Sequence, residues 1–104
     1  MKKYKVIADR GVADDLKSAK VFLNSRRSGY GIKFLSEYRG MLKTLEKNPD
    51  FQIRYNDIRC LPFKTFKYMI HFKINETEGT IHVFAVLSTY LNPDNHWKSM
   101  IRLF

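Results

Sequence analysis

The sequence predicts an α+β domain in which a hairpin of two helices packs on a mostly antiparallel sheet, in the order β-α-α-β-β-β. The spacing of apolar residues is helical in the first half of the chain and alternating in the second half. A length of 104 residues suits one domain, so residues 1–104 are interpreted as a single unit. The sequence shows no internal repeat, linker or low-complexity segment that would divide it.

The first half of the chain contains a strand and a helical hairpin. Tyr4 to Ala8 is predicted as a short strand, and the spacing becomes helical from Val12. The apolar side of the first helix comprises Val12, Leu16, Ala19 and Leu23, with Phe22 beside them. The residues "SGYG" break the chain at 28–31, and a second helix runs from about Ile32 to Lys47, before Asn48-Pro49. The short connection predicts an antiparallel pair.

The second half is predicted as sheet. One extended stretch runs from Ile53 to Phe63, and Phe66 to Ile74 is a strand of regular alternation. One side of that strand carries Phe66, Tyr68, Ile70, Phe72 and Ile74, and the other carries Lys67, Met69, His71 and Lys73. Thr80 to Ser88 is apolar on both faces, with Ile81, Val83, Ala85 and Leu87 on one and Phe84 and Val86 on the other. We therefore expect this last strand inside the sheet, and a turn or two of helix after Asn92-Pro93.

The charge balance is strongly basic, with 19 Lys and Arg residues against 10 Asp and Glu residues and a net charge of +9. Such a field favours acidic partners, which include nucleic acid, an acidic protein segment and a ribosomal surface. The cations are spread through the chain, so the alternative is a diffuse basic surface that serves solubility. Cys60 is the single cysteine, no segment is long and apolar enough to span a membrane, and the N-terminus lacks the apolar region of a signal peptide. We expect a cytoplasmic protein that does not bind membranes.

Metal, cofactor and nucleophile motifs are absent from the sequence. His71, His82 and His96 are widely spaced and Cys60 stands alone, so no metal site is predicted. The five glycines are scattered, which excludes a glycine-rich phosphate loop. We expect neither a metal nor another cofactor, and His82 is interpreted as a hydrogen-bonded histidine of the sheet.

The remaining candidates for functional residues carry positive charges, hydroxyl groups or imidazoles. Two adjacent strands and their turn carry Arg59, Lys64, Lys67, His71 and Lys73, and Tyr90 and His96 follow the last strand. Gripping or cleaving RNA requires cations that neutralise phosphate and groups that move protons. The alternative is that Lys67 and Lys73 are simply solvated residues on the outer face of a strand.

Three segments of the chain resemble the RelE/ParE superfamily of toxins from bacterial type II toxin–antitoxin modules, which includes plasmid-stabilisation proteins. The segments are "GYGIKFLSEYRGMLKTLEKNP", "IRCLPFKTFKYMIHFKI" and "IHVFAVLSTYLNPDNHW". They share with the family a helix that ends in Asn-Pro, an arginine before a Phe-x-Tyr strand, a two-faced apolar strand, and a proline followed by tryptophan. The resemblance covers nearly the whole chain and implies the same fold. It also implies an antitoxin partner whose acidic, amphipathic segment wraps the toxin.

The superfamily has two classes of target. RelE-like members cut mRNA in the ribosome with basic residues on the sheet and near the chain's end, whereas ParE-like members poison DNA gyrase and lack those residues. In this chain Met69 and Tyr90 stand where the RelE-like pattern has arginines, and the position of its terminal catalytic tyrosine falls near His96. ParE-like proteins carry Phe-Pro-Tyr where this chain has Phe66-Lys67-Tyr68, and the likeness to them is closer over the whole chain.

Three interpretations follow from the residues and the resemblance. The leading one is a non-enzymatic toxin that binds an essential target, with gyrase favoured, and is neutralised by its antitoxin. The second is a ribosome-dependent mRNA endoribonuclease with a rearranged catalytic site formed by Tyr90, His96, and Arg59 or Lys64. The third is a basic interaction domain without toxicity. In the first interpretation the contacts to the antitoxin or target come from Arg59, Lys67, His71 and Lys73.

Overall fold

The structure is a computed structural model that describes residues 3–51 and 53–89. Its elements are β1 (Lys5–Ala8), α1 (Arg10–Arg26), α2 (Tyr30–Lys47), β2 (Ile53–Tyr55), β3 (Ile58–Pro62), β4 (Tyr68–Asn75) and β5 (Thr80–Ser88). The strands form one sheet in the order β1-β5-β4-β3-β2, in which β1 is parallel to β5 and the other neighbours are antiparallel. The predicted α+β class is confirmed, and so is the interior position of β5. None of the helices in the described residues is long and apolar enough to cross a membrane.

The stretch from Ile53 to Phe63 contains two strands, and the prediction of one extended segment was wrong. Asn56 and Asp57 both adopt positive φ angles, of 42° and 65°, and reverse the chain between β2 and β3. Asparagine and aspartate tolerate this left-handed conformation better than other residues with a side chain, and two such residues in succession form a tight hairpin turn. The fold therefore has one strand more than the sequence predicted.

The two helices lie close together at the start of α2. Gly29, with φ of 89°, precedes the helix, and the N–H of Gly31 donates to Asn24 Oδ1 at 2.8 Å. A Cβ added at Gly31 would lie 2.6 Å from Cγ of Lys20, so a glycine is needed at this close approach. The apolar stripe predicted for α1 is buried at Val12, Ala19 and Leu23, as expected. Phe22 does not join the core, because it is 48% exposed.

Aromatic side chains fill the space between the helices and the sheet. Phe34 of α2 stacks on Phe63 with ring centroids 4.6 Å apart and contacts Phe66 and Tyr68 edge-on. Phe72 of β4 is fully buried in the same cluster. Aromatic groups of this size contribute much of the hydrophobic driving force of a small domain.

A bulge between β4 and β5 changes which face the end of β5 presents. His71 pairs with Ala85 whereas Phe72 pairs with Val83, so Phe84 is the extra residue. Beyond the bulge, Val86 packs in the helix-facing cluster, and Phe84 and Ala85 pack with Ile58 in a second buried cluster on the opposite face. The predicted facing of Ala85, Leu87 and Val86 was therefore wrong, because simple alternation does not allow for an inserted residue.

Candidate binding surface

A groove lies between the second half of α1 and the connection from β3 to β4. We call it the α1–turn groove; its volume is about 540 Å³. Its apolar lining residues are Phe22, Leu23 and Phe66, and its polar lining residues are Arg26, Thr65, Lys67, Tyr68 and Ser88. An apolar floor with polar groups at its rim is the usual construction of a site that anchors a partner's side chain.

The turn beside the groove is fixed from three sides. The carboxylate of Glu37 on α2 accepts from the backbone N–H of Lys64 at 2.6 Å and from that of Thr65 at 3.3 Å. The N–H of Phe63 donates to the carbonyl of Tyr68 at 2.9 Å, and that of Thr89 to the carbonyl of Lys67 at 2.8 Å. Because its backbone is held by α2, β4 and the residue after β5, the turn offers a preformed edge to a partner.

The charge of the α1–turn groove is positive. Arg26 lies over the ring of Phe22, with its guanidinium carbon 5.1 Å from the ring centroid, and this contact holds both side chains at the groove's edge. Lys67 supplies a second cation, and none of the described lining residues is acidic. Burial raises the pKa of Tyr68, so its hydroxyl is neutral at physiological pH. The groove therefore suits an apolar side chain next to a carboxylate.

The basic residues singled out in the sequence are dispersed. Lys67 lines the α1–turn groove, whereas Lys73 lies further along β4, paired with His82 of β5. Arg59 is occupied: Nη1 donates to the carbonyl of Phe51 at 2.6 Å and to Asp50 Oδ1 at 3.2 Å. Its side chain is only 23% exposed, and it fixes the segment before β2. Within the described residues the predicted cations do not form one cluster.

His71 is buried, and its predicted place on an exposed basic face was wrong. The imidazole is 2% exposed, with Nδ1 2.9 Å from the hydroxyl of Tyr55 and 3.3 Å from Sγ of Cys60. Burial, together with the positive charge of Arg54, lowers the pKa of His71 to about 4. The ring is therefore neutral at physiological pH and cannot contribute positive charge to a binding surface.

The partners of this imidazole are also neutral. Burial raises the pKa of Tyr55, and it raises the pKa of the Cys60 thiol to about 11, so both groups keep their protons at pH 7. The hydroxyl of Tyr55 and the thiol of Cys60 both lie within hydrogen-bond distance of Nδ1 of His71. This cluster is a hydrogen-bonded part of the interior, and its thiol is not an activated nucleophile.

Tyr90 and His96 lie outside the described residues. Of the other histidines, His82 is half-exposed on β5, with Nε2 3.7 Å from Asp9 Oδ1. Among residues 3–51 and 53–89, no three His, Cys, Asp or Glu side chains are placed to hold a metal ion.

Of the eight described residues that line the α1–turn groove, the sequence analysis chose Lys67 as a site residue and missed the other seven. A signal for two of them was present. Phe22 lies off the apolar stripe of α1, and Arg26 follows it by one helical turn, so the two residues form a surface pair. The contribution of Thr65 and Phe66 depends on the path of the turn and had no local signal.

Solved structures share this fold. A chain of the chromosomal ParDE toxin–antitoxin system from P. aeruginosa aligns with a TM-score of 0.72 and 12% identity, over 85% of this chain and 98% of the other. A chain of the intact E. coli RelBE toxin–antitoxin complex aligns with a TM-score of 0.54 and 12% identity, over 82% of this chain and 95% of the other. The isolated E. coli RelE toxin aligns with a TM-score of 0.53 and 10% identity, over 97% of this chain and 99% of the toxin. Neither a protein-family model nor a characterised protein sequence matches this chain.

At these identities the likeness is one of fold. The chain has the α+β fold of the RelE/ParE toxins, which confirms the architecture that the sequence resemblance implied. Of these alignments, the one with the ParDE chain has the highest TM-score.

Proposed function

We propose that this protein is the toxin of a bacterial type II toxin–antitoxin module, that it acts in the cytoplasm by binding an essential target, and that an acidic antitoxin segment neutralises it. DNA gyrase is the target proposed. The α1–turn groove is the observation that carries the antitoxin part of the proposal, since it combines an apolar floor with Arg26 and Lys67 at its rim. An amphipathic helix with acidic residues beside its apolar stripe has the matching chemistry.

The net charge of +9 supports the same partner. Long-range attraction between a basic toxin and an acidic segment raises the association rate, and salt screens that attraction. We expect the association rate constant to fall as ionic strength rises. A rate that does not change with salt would mean that the basic surface does not steer the encounter.

Binding is favoured over catalysis by the state of the candidate catalytic groups. Arg59 already bonds to Asp50 and to a backbone carbonyl, so its charge is shared before any phosphate arrives. Met69, where the RelE-like pattern has an arginine, is buried and offers no charge. Losing one preorganised charge contact typically costs about 10²–10³ in rate. The rearranged nuclease is therefore the second candidate.

The antitoxin proposal predicts that a gene beside this one encodes a short protein with an acidic, amphipathic segment, and its test is co-expression with that protein. We expect the two proteins to co-purify, and expression of this chain alone to arrest growth. In Arg26→Glu/Lys67→Glu the complex should weaken strongly, because two attractive contacts become repulsive. Ile32→Ala is the matched control, since Ile32 is 68% exposed and does not line the groove. Equal weakening in the control, or no complex with the neighbouring protein, would contradict the proposal.

The target is tested by two readouts, one with purified proteins and one in induced cells. Inhibition of purified gyrase in a supercoiling assay is the expected result. Primer extension on a translated message should show no ribosome-dependent cuts above background. Discrete cuts that disappear in Tyr90→Phe/His96→Ala would replace the proposal with the nuclease. Growth arrest with neither effect would exclude both targets, and absence of growth arrest would favour the non-toxic interaction domain.

A further inference from the structure

The end of the helical hairpin where α1 leads into α2 carries positive charge without any acidic residue. Residues 16–36, from the middle of α1 to the first turns of α2, contain no Asp or Glu and five cations: Lys17, Lys20, Arg26, Arg27 and Lys33. The other end of the hairpin is mixed in sign, since residues 9–15 carry three carboxylates and residues 43–50 carry two. The charge of the hairpin is therefore unevenly distributed between its ends.

Three of these cations lie around the start of α2. The guanidinium carbon of Arg27 lies 5.6 Å from the ring centroid of Tyr30, and Nζ of Lys33 lies 6.0 Å from it. The side chain of Lys20 reaches across from α1, because its Cγ is 2.6 Å from the position that a Cβ at Gly31 would occupy. All three cations are exposed, and among residues 3–51 and 53–89 no carboxylate forms an ion pair with them. We define the hairpin tip as Lys20, Asn24, Arg27, Ser28 and Lys33.

The uncharged residues of the hairpin tip add hydrogen-bond donors. Asn24 uses its Oδ1 to accept from the N–H of Gly31 at 2.8 Å, which leaves its NH₂ group free to donate to a ligand. Ser28 is exposed and has a hydroxyl that can donate as well. Phosphate oxygens only accept hydrogen bonds, and a guanidinium such as that of Arg27 matches them with two parallel bonds. The hairpin tip therefore has the chemistry that suits phosphate groups.

The aromatic ring at the hairpin tip is not available for stacking on a base. Tyr30 is half-buried, with Arg27 and Lys33 against it and Phe66 edge-on at a centroid distance of 5.7 Å. Proteins that bind single strands use free aromatic rings on which bases stack, so a single strand is not favoured here. A duplex requires only cations along its backbone. It carries one negative charge per about 1.7 Å of its axis, a higher density than a protein helix of which one part is acidic.

We propose that the hairpin tip binds the phosphate backbone of double-stranded DNA through Lys20, Arg27 and Lys33, without reading its sequence. Contacts to phosphate fix the position of a protein on a duplex and carry no sequence information directly. The inference rests on the proposed function only for the identity of the duplex, which is the DNA that gyrase holds. The side chains differ from those of the α1–turn groove, so the toxin has one surface for the antitoxin and another for DNA.

The first test measures binding of a labelled DNA duplex of two helical turns, roughly 20 base pairs, by fluorescence anisotropy at several salt concentrations. Each phosphate contact contributes about 0.9 to the slope of log affinity against log salt, so three contacts predict a loss of at least about 40-fold between roughly 50 and 200 mM salt. In Lys20→Gln/Arg27→Gln/Lys33→Gln we expect weaker binding and a slope that is shallower by about 3. An unchanged slope in this variant would overturn the proposal.

The matched control removes the same residue types from the other end of the hairpin. Arg10→Gln/Lys43→Gln/Lys47→Gln changes three exposed positions and lowers the net charge by the same amount. We expect this variant to keep the affinity and the salt slope of the parent. Circular dichroism checks that both variants are folded. Equal weakening in the two variants would mean that diffuse charge attracts the duplex, and would overturn the proposal.

Further probes separate DNA from other polyanions. We expect the DNA duplex to bind more tightly than a single strand of the same sequence and than a polyglutamate peptide of equal charge. Tighter binding of the single strand would show that bases are read. Polyglutamate that binds as well as the duplex would assign the hairpin tip to an acidic protein, and an RNA duplex that binds more tightly than DNA would assign it to RNA. Each of these three results would overturn the proposal.

A second readout does not depend on variants. When the DNA duplex is added, the amide signals of residues 27–33 should shift in NMR spectra, whereas those of β2 at the sheet edge should not. Shifts at the α1–turn groove without shifts at residues 27–33 would overturn the proposal, because the duplex would then occupy the groove.

The antitoxin and gyrase assays separate this inference from the proposed function. If the protein forms the antitoxin complex and inhibits gyrase but does not bind the duplex, the DNA proposal is wrong and the proposed function stands. If the duplex binds and the binding is lost in the Lys20→Gln/Arg27→Gln/Lys33→Gln variant, while neither an antitoxin complex nor gyrase inhibition is found, the DNA proposal is supported and the proposed function fails.

Discussion

Toward the helices the sheet presents a continuous apolar layer, whereas on its other face a small buried cluster is flanked by polar residues. On the helix side, Ile70, Phe72 and Val83 are fully buried beneath α1 and α2. On the other side, Phe84 and Ile58 are buried at the centre, and Lys73 and His82 lie toward one end. The comparison teaches that burial on the first face follows from period-two alternation, while burial on the second depends on how neighbouring strands align.

The largest expected effects come from the aromatic residues of the two faces. Phe72→Ala on the helix side and Phe84→Ala on the opposite side should each lower the free energy of unfolding by about 3–5 kcal/mol, the usual range for a buried aromatic. Phe22→Ala is the control, and because Phe22 is half-exposed it should cost less than about 1 kcal/mol. Urea denaturation checks all three. A Phe84→Ala variant as stable as the parent would show that the opposite face is not part of the core.

The next effect is specific to the opposite face and depends on pH. The pKa of His71 is about 4 in the folded protein and about 6.5 in the unfolded chain, so the unfolded state binds more protons between these values. The contribution of His71 to the free energy of unfolding should therefore be constant above about pH 6.5. It should fall as the pH drops toward 4, by about 3 kcal/mol in total.

A His71→Gln variant isolates this contribution from the carboxylates that titrate in the same range. The difference in unfolding free energy between parent and variant should shift in the variant's favour as pH falls from 7 toward 4. Parallel pH profiles for the two proteins would mean that the imidazole is accessible to solvent and protonates in the folded state.

A smaller effect tests how α1 fixes β5 at the bulge. Asp15 Oδ2 accepts from the N–H of Val86 at 3.0 Å, beyond the point where pairing with β1 ends. Asp15→Ala should lower stability by about 1–3 kcal/mol, because a part-buried N–H loses its acceptor. Asp14→Ala, at the exposed neighbouring position, should change it little. Similar losses in both variants would attribute the effect to helix charge instead.

The smallest effect belongs to the turn between β2 and β3, which lies at the sheet edge and outside both faces. Asp57 has φ of 65°, a conformation that glycine adopts without steric cost. Asp57→Gly should therefore stabilise the protein by less than about 1 kcal/mol, which a slightly higher melting temperature would show. Asp57→Val should lower the melting temperature. A stabilising valine would contradict the hairpin turn.

The sequence predicted the parts of the fold that depend on local pattern. The helical stripe through Val12 and Leu23, the alternation of β4 and the interior place of β5 were all readable, because periodicity reports a face directly. The division of residues 53–63 was missed, although Asn56-Asp57 is a turn signal. The bulge at Phe84 had no signal, since an inserted residue in an apolar strand leaves the composition unchanged.

The candidate site was less predictable than the fold. Lys67 is exposed and lines the α1–turn groove, but His71 was placed on an exposed face because Lys67 and Lys73 lie on the same side of its strand. The imidazole contacts Tyr55 of β2 and Cys60 of β3, and no single-strand pattern contains such contacts. Phe66 and Arg26 line the same groove although they are distant in the sequence, and Glu37 of α2 holds the turn that leads to Phe66.

The parallel pairing of β1 with β5 has a consequence for how the protein is made. The first strand of the chain aligns with the last described strand, so Lys5 finds its partner Thr80 only after both helices and three other strands have been synthesised. Contacts between such remote segments slow folding, because the intervening chain must be closed into a loop first. Until β5 leaves the ribosome, β1 has no strand to pair with, and the nascent chain cannot complete its sheet. Synthesis of the chain through β5 is thus required before the sheet can be completed.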